Sequence, residues 1–162
     1  MDKRLVKAFN DQIKNELYSS YLYLSMAAYF ESKNFPGFAH WMRVQAKEET
    51  GHGMKMFGFL VDRGERVVLQ AIPQPKAGFD SSLDAFEETL KHEKVVTALI
   101  DGLYKLAVEA KDNASAVFLQ WFITEQVEEE KNANYIIDTL KMLKPDSAAM
   151  IMLDRELAKR QG

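Results

Sequence analysis

Residues 47–52 read Lys47-Glu48-Glu49-Thr50-Gly51-His52, and the fold turns on how this stretch is read. It contains Glu49-x-x-His52, a carboxylate and an imidazole three residues apart. On an α-helix, residues i and i+3 lie one above the other on the same face, so both side chains can reach one metal ion. A single Glu-x-x-His arises by chance in many helices, and its setting is what raises it here. Met42, Ala46, Met56 and Leu60 stand at offsets −7, −3, +7 and +11 from Glu49, which puts Glu49 on an apolar face. A bare carboxylate there costs several kcal/mol or keeps its proton. A cation or a hydrogen-bond partner must compensate it, so the rest of the chain has to be searched for further ligands.

The sequence around this stretch suits one all-α domain. Its 162 residues are enough for a sizeable core, and 47% hydrophobic residues is ordinary for a globular chain. The net charge of −3 gives no case for nucleic-acid binding. With no cysteine, disulfides, iron–sulfur clusters and cysteine-based zinc sites are excluded. The start, Met1-Asp2-Lys3-Arg4-Leu5, leads directly into a helical pattern without a signal peptide, and no run of about 18 apolar residues exists to span a membrane. The expected location is cytoplasmic.

Glycine and proline are scarce, with 8 and 4 copies, and clusters of them mark the breaks between long helical patterns. The first helix is expected from about Asp2 to Glu31. Phe9, Glu16, Tyr23 and Phe30 recur every seven residues, widened by Leu5, Ile13, Ser20 and Ala27, and Glu16 is the one charge in that stripe. Asn34-Phe35-Pro36-Gly37 breaks the chain and can cap the second helix, which runs to about Arg63. Gly51 and Gly53 flank His52, at about 1 kcal/mol each, for close packing or ligand access. From Gly64 to Asp80 the pattern stops, with Val67-Val68-Leu69 briefly extended. These roughly 17 residues could reach roughly 55 Å, whereas the second helix spans about 40 Å. The linker can therefore travel the length of a bundle and leave the second and third helices parallel.

Ser81-x-x-Asp84 opens the third helix in the manner of a capping box. Phe86, Leu90, Glu93, Val96 and Ile100 share one of its faces, with Glu93 again a lone carboxylate. The helix ends near Lys111, and Asp112 or Asn113 caps the fourth. There Leu119, Phe122, Ile123, Gln126, Glu129, Ala133 and Ile136 form the inward face. Glu125, Glu128, Glu129 and Glu130 make an acidic patch, in which Glu130 fits a solvated face and Glu129 does not. Glu109 and Asp112 could line a cation pore or simply stand at an exposed helix end. Lys144-Pro145-Asp146 stops the fourth helix. A short fifth, about Ser147 to Lys159, begins apolar all round at Ala148-Ala149-Met150-Ile151-Met152-Leu153, and a helix without a polar face needs partners on several sides, as an assembly element has. The bundle is thus expected over about 2–144 and the assembly helix over about 147–159, in one domain covering 1–162.

Four helices each place polar residues at mid-height on the core face: Glu16, then Glu49 and His52, then Glu93, then Gln126 and Glu129. Oxygen-rich donors with a single imidazole suit iron better than zinc, magnesium or calcium. The bland alternative is a buried polar network without metal.

These residues carry a resemblance. Asn15-Glu16-Leu17-Tyr18-Ser19-Ser20-Tyr21-Leu22-Tyr23, Gly37-Phe38-Ala39-His40-Trp41-Met42 with Glu48-Glu49-x-x-His52, and Phe118-Leu119-Gln120-Trp121-Phe122 with Glu125-Gln126-Val127-Glu128-Glu129-Glu130 resemble the helix motifs of the bacterial non-haem ferritins, a branch of the ferritin-like di-iron proteins, over essentially the whole chain. Di-iron bundles of this class take one Glu from each of two helices and Glu-x-x-His from the other two. Here the fourth helix departs from that, with Gln126-x-x-Glu129. The resemblance implies a ferritin-like four-helix bundle with one long crossover between helices two and three, plus a short C-terminal fifth helix. It implies iron storage in a homo-oligomeric cage of 24 subunits that oxidises Fe(II) with oxygen or hydrogen peroxide. Glu16, Glu49 and His52 would hold a first iron, Glu49 would bridge to a second held by Glu93 and Glu129, and Gln126 would stand near the oxygen-binding face. Glu48, Glu125, Glu128 and Glu129 match a third, nearby iron site. Tyr23 and Trp121 match aromatics beside the centre that are candidates for supplying an electron. Thr50 stands where the haem-binding relatives, the bacterioferritins, have a methionine, so no haem is expected. A bacterioferritin or another di-iron carboxylate oxidase is the alternative reading.

Overall fold

The computed structural model describes residues 1–162 as five helices without a strand: α1 Lys3–Ser32, α2 Pro36–Asp62, α3 Ser82–Glu109, α4 Asn113–Lys141 and α5 Ala148–Leu157. Each stands within a few residues of its expected bounds. Four of them form the bundle, α1 packing chiefly on α2 and α3 on α4, while α5 lies against α2.

The helix ends explain why the chain turns where it does. After α1, α2 and α3, the residues Asn34 (φ 59°), Gly64 (φ 72°) and Lys111 (φ 54°) adopt the left-handed conformation. In each case the next amide reaches back to the last turn: Phe35 to Phe30 O at 3.0 Å, Glu65 to Leu60 O at 2.9 Å and Asp112 to Ala107 O at 3.0 Å. This Schellman closure satisfies carbonyls the helix leaves open. At the starts, Asp2, Ser81 and Asp112 accept from the amides of Arg4, Asp84 and Ser115. The return half of the expected capping box is displaced by one residue, because Asp84 accepts from Asp80 N rather than from Ser81.

The start of α2 departs from the sequence reading. Asn34 closes α1 and caps nothing in α2. Phe35 at the N-cap has no side chain able to accept, and Pro36 occupies the first turn. The cap comes from α5, where the Asp154 carboxylate accepts from Gly37 N at 2.8 Å and Phe38 N at 3.0 Å. Gly37 is required by this approach, since a Cβ there would stand 1.7 Å from the Asp154 carbonyl oxygen. Met150 and Leu157 are buried against the bundle while Ile151 and Met152 are exposed. The fifth helix therefore turns one apolar side into the subunit and leaves another exposed.

The crossover runs along α1. Val68 N donates to Asn10 Oδ1, Gln70 to Asp11, and further on Ser25 Oγ donates to Lys76 O, so the linker climbs about four turns of α1 before α3 begins. Phe38 of α2 and Phe86 of α3 meet at the same end of the bundle, which makes α2 and α3 parallel.

Two apolar clusters fill the bundle. One gathers Tyr23, Phe30, Phe38, Trp41, Phe86 and Ile136 with their neighbours, and the other Leu5, Phe9, Leu60, Ile100, Leu119 and Phe122 with theirs. Between the two clusters on the chain lie the buried polar residues Glu16, Glu49, His52, Glu93, Gln126 and Glu129, with the buried Gln12 and Gln45 one helical turn before Glu16 and Glu49.

Candidate metal centre

Each bundle helix contributes to this polar layer because its apolar stripe is interrupted at mid-length by a carboxylate at core register. The donor atoms of Glu16, Glu49 and His52 all lie within 4.8 Å of one another, as do those of Glu49, Glu93 and Glu129. Glu49 belongs to both groups and stands between them. His52 Nδ1 lies 3.3 Å from Glu49 and 4.0 Å from Glu16. The imidazole is held edge-on by Trp121 and Phe122, at 5.4 and 6.0 Å between ring centres. A third group joins His52 and Glu129 to Glu125, which is half-buried at the edge of the layer.

The layer is short of positive charge. Burial, reinforced by the Glu49 charge, pushes the Glu16 carboxyl well above the carboxylate range. Burial and the charges of Glu93 and Glu129 do the same to Glu49, and burial raises Glu93. Burial and Glu93 push Glu129 up to about 8. Crowded, dehydrated carboxylates of this kind favour a proton or a cation. Glu16 Oε2 is buried without a hydrogen-bond partner from the protein, which leaves its lone pairs open to a cation.

The remaining lone pairs are held by amides and one phenol. Gln12 donates to Glu16 at 2.8 Å, and Gln45 donates to Glu129 at 2.7 Å and Glu49 at 3.1 Å. Gln126 donates to Glu93 Oε2 at 3.1 Å, and the buried Tyr23 hydroxyl donates to Glu93. Gln12 and Gln45 were missed by sequence reasoning. Each stands four residues before the carboxylate it serves, so helical i,i+4 spacing was the signal that could have found them.

The outer acidic residues divide. Glu125 joins a group, whereas Glu128 is exposed and joins none. The Glu48 carboxylate is engaged by Arg160 at 2.5 Å. Glu130 is not a freely solvated side chain, because it accepts from Thr97 at 2.7 Å. Asp112 is taken up by Arg63 at 2.9 Å and by its own helix cap, while Glu109 pairs with Arg4 on the surface. A Cβ at Gly53 would meet Glu16 Cβ at an ordinary contact distance of 3.5 Å, and one at Gly51 would meet open space, so neither glycine is demanded by crowding. Thr50 bonds to Ala46 O and Ser20. A groove of about 360 Å³ between α3 and α4, lined among others by Thr97, Asp101, Gln126 and Glu130, opens beside the centre. The larger surface cavity, about 550 Å³ near Tyr29, Ser81 and Leu143, lies at the end of the bundle, away from this chemistry.

Against known proteins, the ferritin-like domain family profile matches residues 6–143. The bacterial non-heme ferritin of Staphylococcus saprophyticus is 41% identical over 160 residues, covering 99% of this chain and 96% of that protein. That of Bacteroides fragilis is 39% identical and covered over 99% of both. Among solved structures, the open-pore ferritin of the hyperthermophilic archaeon Archaeoglobus fulgidus superposes with a TM-score of 0.98 at 48% identity, over 99% of this chain and 98% of that one. A mutant of it engineered into a closed form matches equally well. With its backbone, its length and the order of its helices all shared with these proteins, the chain belongs to the ferritin family.

Proposed function

We infer that this chain stores iron and oxidises Fe(II) to Fe(III) at the mid-bundle cluster, within a hollow homo-oligomer of 24 subunits. The observation that carries the reading is the shared Glu49. One carboxylate common to two groups of donors, Glu16–Glu49–His52 and Glu49–Glu93–Glu129, fits two adjacent cations. Four buried carboxylates match the four positive charges of two Fe(II) ions, so loading removes the repulsion that raises their pKa values. Hard anionic oxygens favour Fe(III) over Fe(II) and pull the oxidation forward. Two Fe(II) supply two electrons, enough to take oxygen to hydrogen peroxide or peroxide to water. Oxidation adds two positive charges that the four carboxylates do not balance, and further anionic oxygen donors would be needed to compensate them. Glu125, with Glu48 beyond it, lies next to His52 and Glu129 as the next acidic ground, and Glu128 would add to it from the exposed side.

The chain's own residues orient the ligands. Gln12, Gln45, Gln126 and Tyr23 fix the carboxylates, and the aromatic walls from Trp121 and Phe122 hold His52 and limit water. Tyr23 and Trp121 are close enough to the cluster to donate an electron, a role we assign to them together with their packing. No haem is part of this reading, since Thr50 offers no thioether and its hydroxyl is bonded within the bundle.

Anaerobic Fe(II) titration followed by stopped-flow absorbance on mixing with oxygen tests the proposal. Two ions per subunit should bind before the oxidation burst. Glu49→Ala, which removes the ligand common to both groups, and His52→Ala should nearly abolish it, whereas Glu128→Ala should spare the burst and alter later turnover. Oxidation at the wild-type rate in Glu49→Ala would mean the cluster is not the oxidising centre.

A further inference from the structure

The segment after α5 does not leave the molecule but lies back along α2. His40 Nε2 meets the Arg160 carbonyl at 2.8 Å, and Arg160 Nη1 donates to Trp41 O at 3.4 Å. The Arg160 guanidinium lies 4.2 Å from the centre of the Trp41 ring, and Gly162 rests on Val44 so closely that a Cβ there would stand 2.4 Å from its methyl. The last contact is with the cluster's own helix, where Arg160 Nη2 donates to Glu48 Oε2 at 2.5 Å. Three side chains of α2, His40, Trp41 and Glu48, thus hold one arginine and its backbone, and Val44 meets Gly162.

Glu48 occupies a telling position. It precedes Glu49 and lies one helical turn from His52, on the side where His52, Glu125 and Glu129 form the outer group. Its charge is close enough to raise the Glu129 carboxyl. The cation paired with Glu48 on this acidic edge is a guanidinium that belongs to the protein. Arg160 is mostly covered, its side chain 17% exposed, whereas Glu48 keeps 38% and can be reached from outside.

We propose that Arg160 is a displaceable counter-ion of the outer acidic group: it docks the segment 158–162 on α2 while Glu48 is free of metal, and is released when a divalent or ferric cation takes Glu48. Cation passage and docking of this segment exclude each other, so the segment works as a latch on the outward path from the centre. The inference rests on the metal centre proposed above and adds a regulating element to it. The guanidinium holds Oε2 of Glu48, and a metal ion drawn to the same carboxylate weakens that contact because the two cations repel at close range.

The test uses hydrogen–deuterium exchange with mass spectrometry on the assembled full-length protein, with Zn²⁺ as a redox-inert probe. In the wild type, peptides carrying Glu49 and His52 should become protected as zinc fills the centre, and exchange in 158–162 should rise at further zinc additions. Arg160→Gln should exchange freely in 158–162 before any zinc, and its outer site should bind zinc roughly five- to tenfold more tightly, the factor expected when a partly exposed charged contact no longer competes. Glu48→Gln should loosen the segment and make it indifferent to zinc. If the centre fills while 158–162 stays as protected as before, or if Arg160→Gln leaves outer-site affinity unchanged, the latch is wrong and the centre stands. If zinc protects neither Glu49 nor His52, it is the centre that fails.

Discussion

Removing one charge from the buried cluster should stabilise the metal-free protein, and Glu129→Gln is the substitution that shows it. Glu129 is 5% exposed and titrates near 8 in the fold, pushed there by burial and the Glu93 charge. In the unfolded chain it titrates near 4.5. Between those values the fold keeps a proton that the unfolded chain has lost. The stability of the metal-free protein therefore falls as pH rises through this window, and the full cost is reached above about pH 8. Taken alone, the shift corresponds to at most about 5 kcal/mol. That shift already contains the hydrogen bond from Gln45, which an amide at 129 can still accept, and local relaxation around the ionised carboxylate lowers the cost further. Glu129→Gln should therefore gain on the order of 3 kcal/mol at pH 9 and close to nothing at pH 4.5. The assay is urea unfolding of chelator-stripped protein by circular dichroism at several pH values, with protomer concentration held fixed because assembly adds to apparent stability. Saturating zinc should reverse the order, since a cation rewards the carboxylate and not the amide. A difference between the two proteins that does not change with pH, or a loss at pH 9, would refute the account of a charge-strained site.

The cap that α5 lends to α2 should be costly to lose. Asp154→Ala strands the buried amides of Gly37 and Phe38 and should cost about 2–4 kcal/mol, read from the same denaturation curves; a loss under about 0.5 kcal/mol would make the contact incidental. Lys111 holds a left-handed backbone at an exposed helix end, and Lys111→Gly should raise stability by about 0.5–1 kcal/mol, whereas a loss would mean the lysine side chain has an unseen partner. Light scattering should give a particle of 24 subunits, with the exposed Ile151 and Met152 of α5 at its contacts, so that Met152→Asp weakens the particle. A stable monomer of the wild type at micromolar concentration would contradict the cage.

The sequence by itself determined whatever depends on neighbours along the chain. Helical periodicity placed Glu16, Glu49, His52, Glu93, Gln126 and Glu129 on core faces, because i, i+3 and i+7 share a side of any helix. Proline and glycine marked the breaks, and the length of 64–80 required a crossover rather than a hairpin. The same local rule would have covered Gln12 and Gln45, which the sequence reading missed because lone amides do not stand out from solvated ones. Only the tertiary structure decided the rest. Asp154 as the cap of a helix more than a hundred residues earlier, Asp112 bound to Arg63, and Arg160 bound to Glu48 are polar pairs with no periodicity to announce them. Their partners are fixed by how helices and tails come together in space. The pKa values of the four carboxylates belong to the same class, since desolvation and mutual repulsion exist only once all four helices have brought their charges into one dry layer.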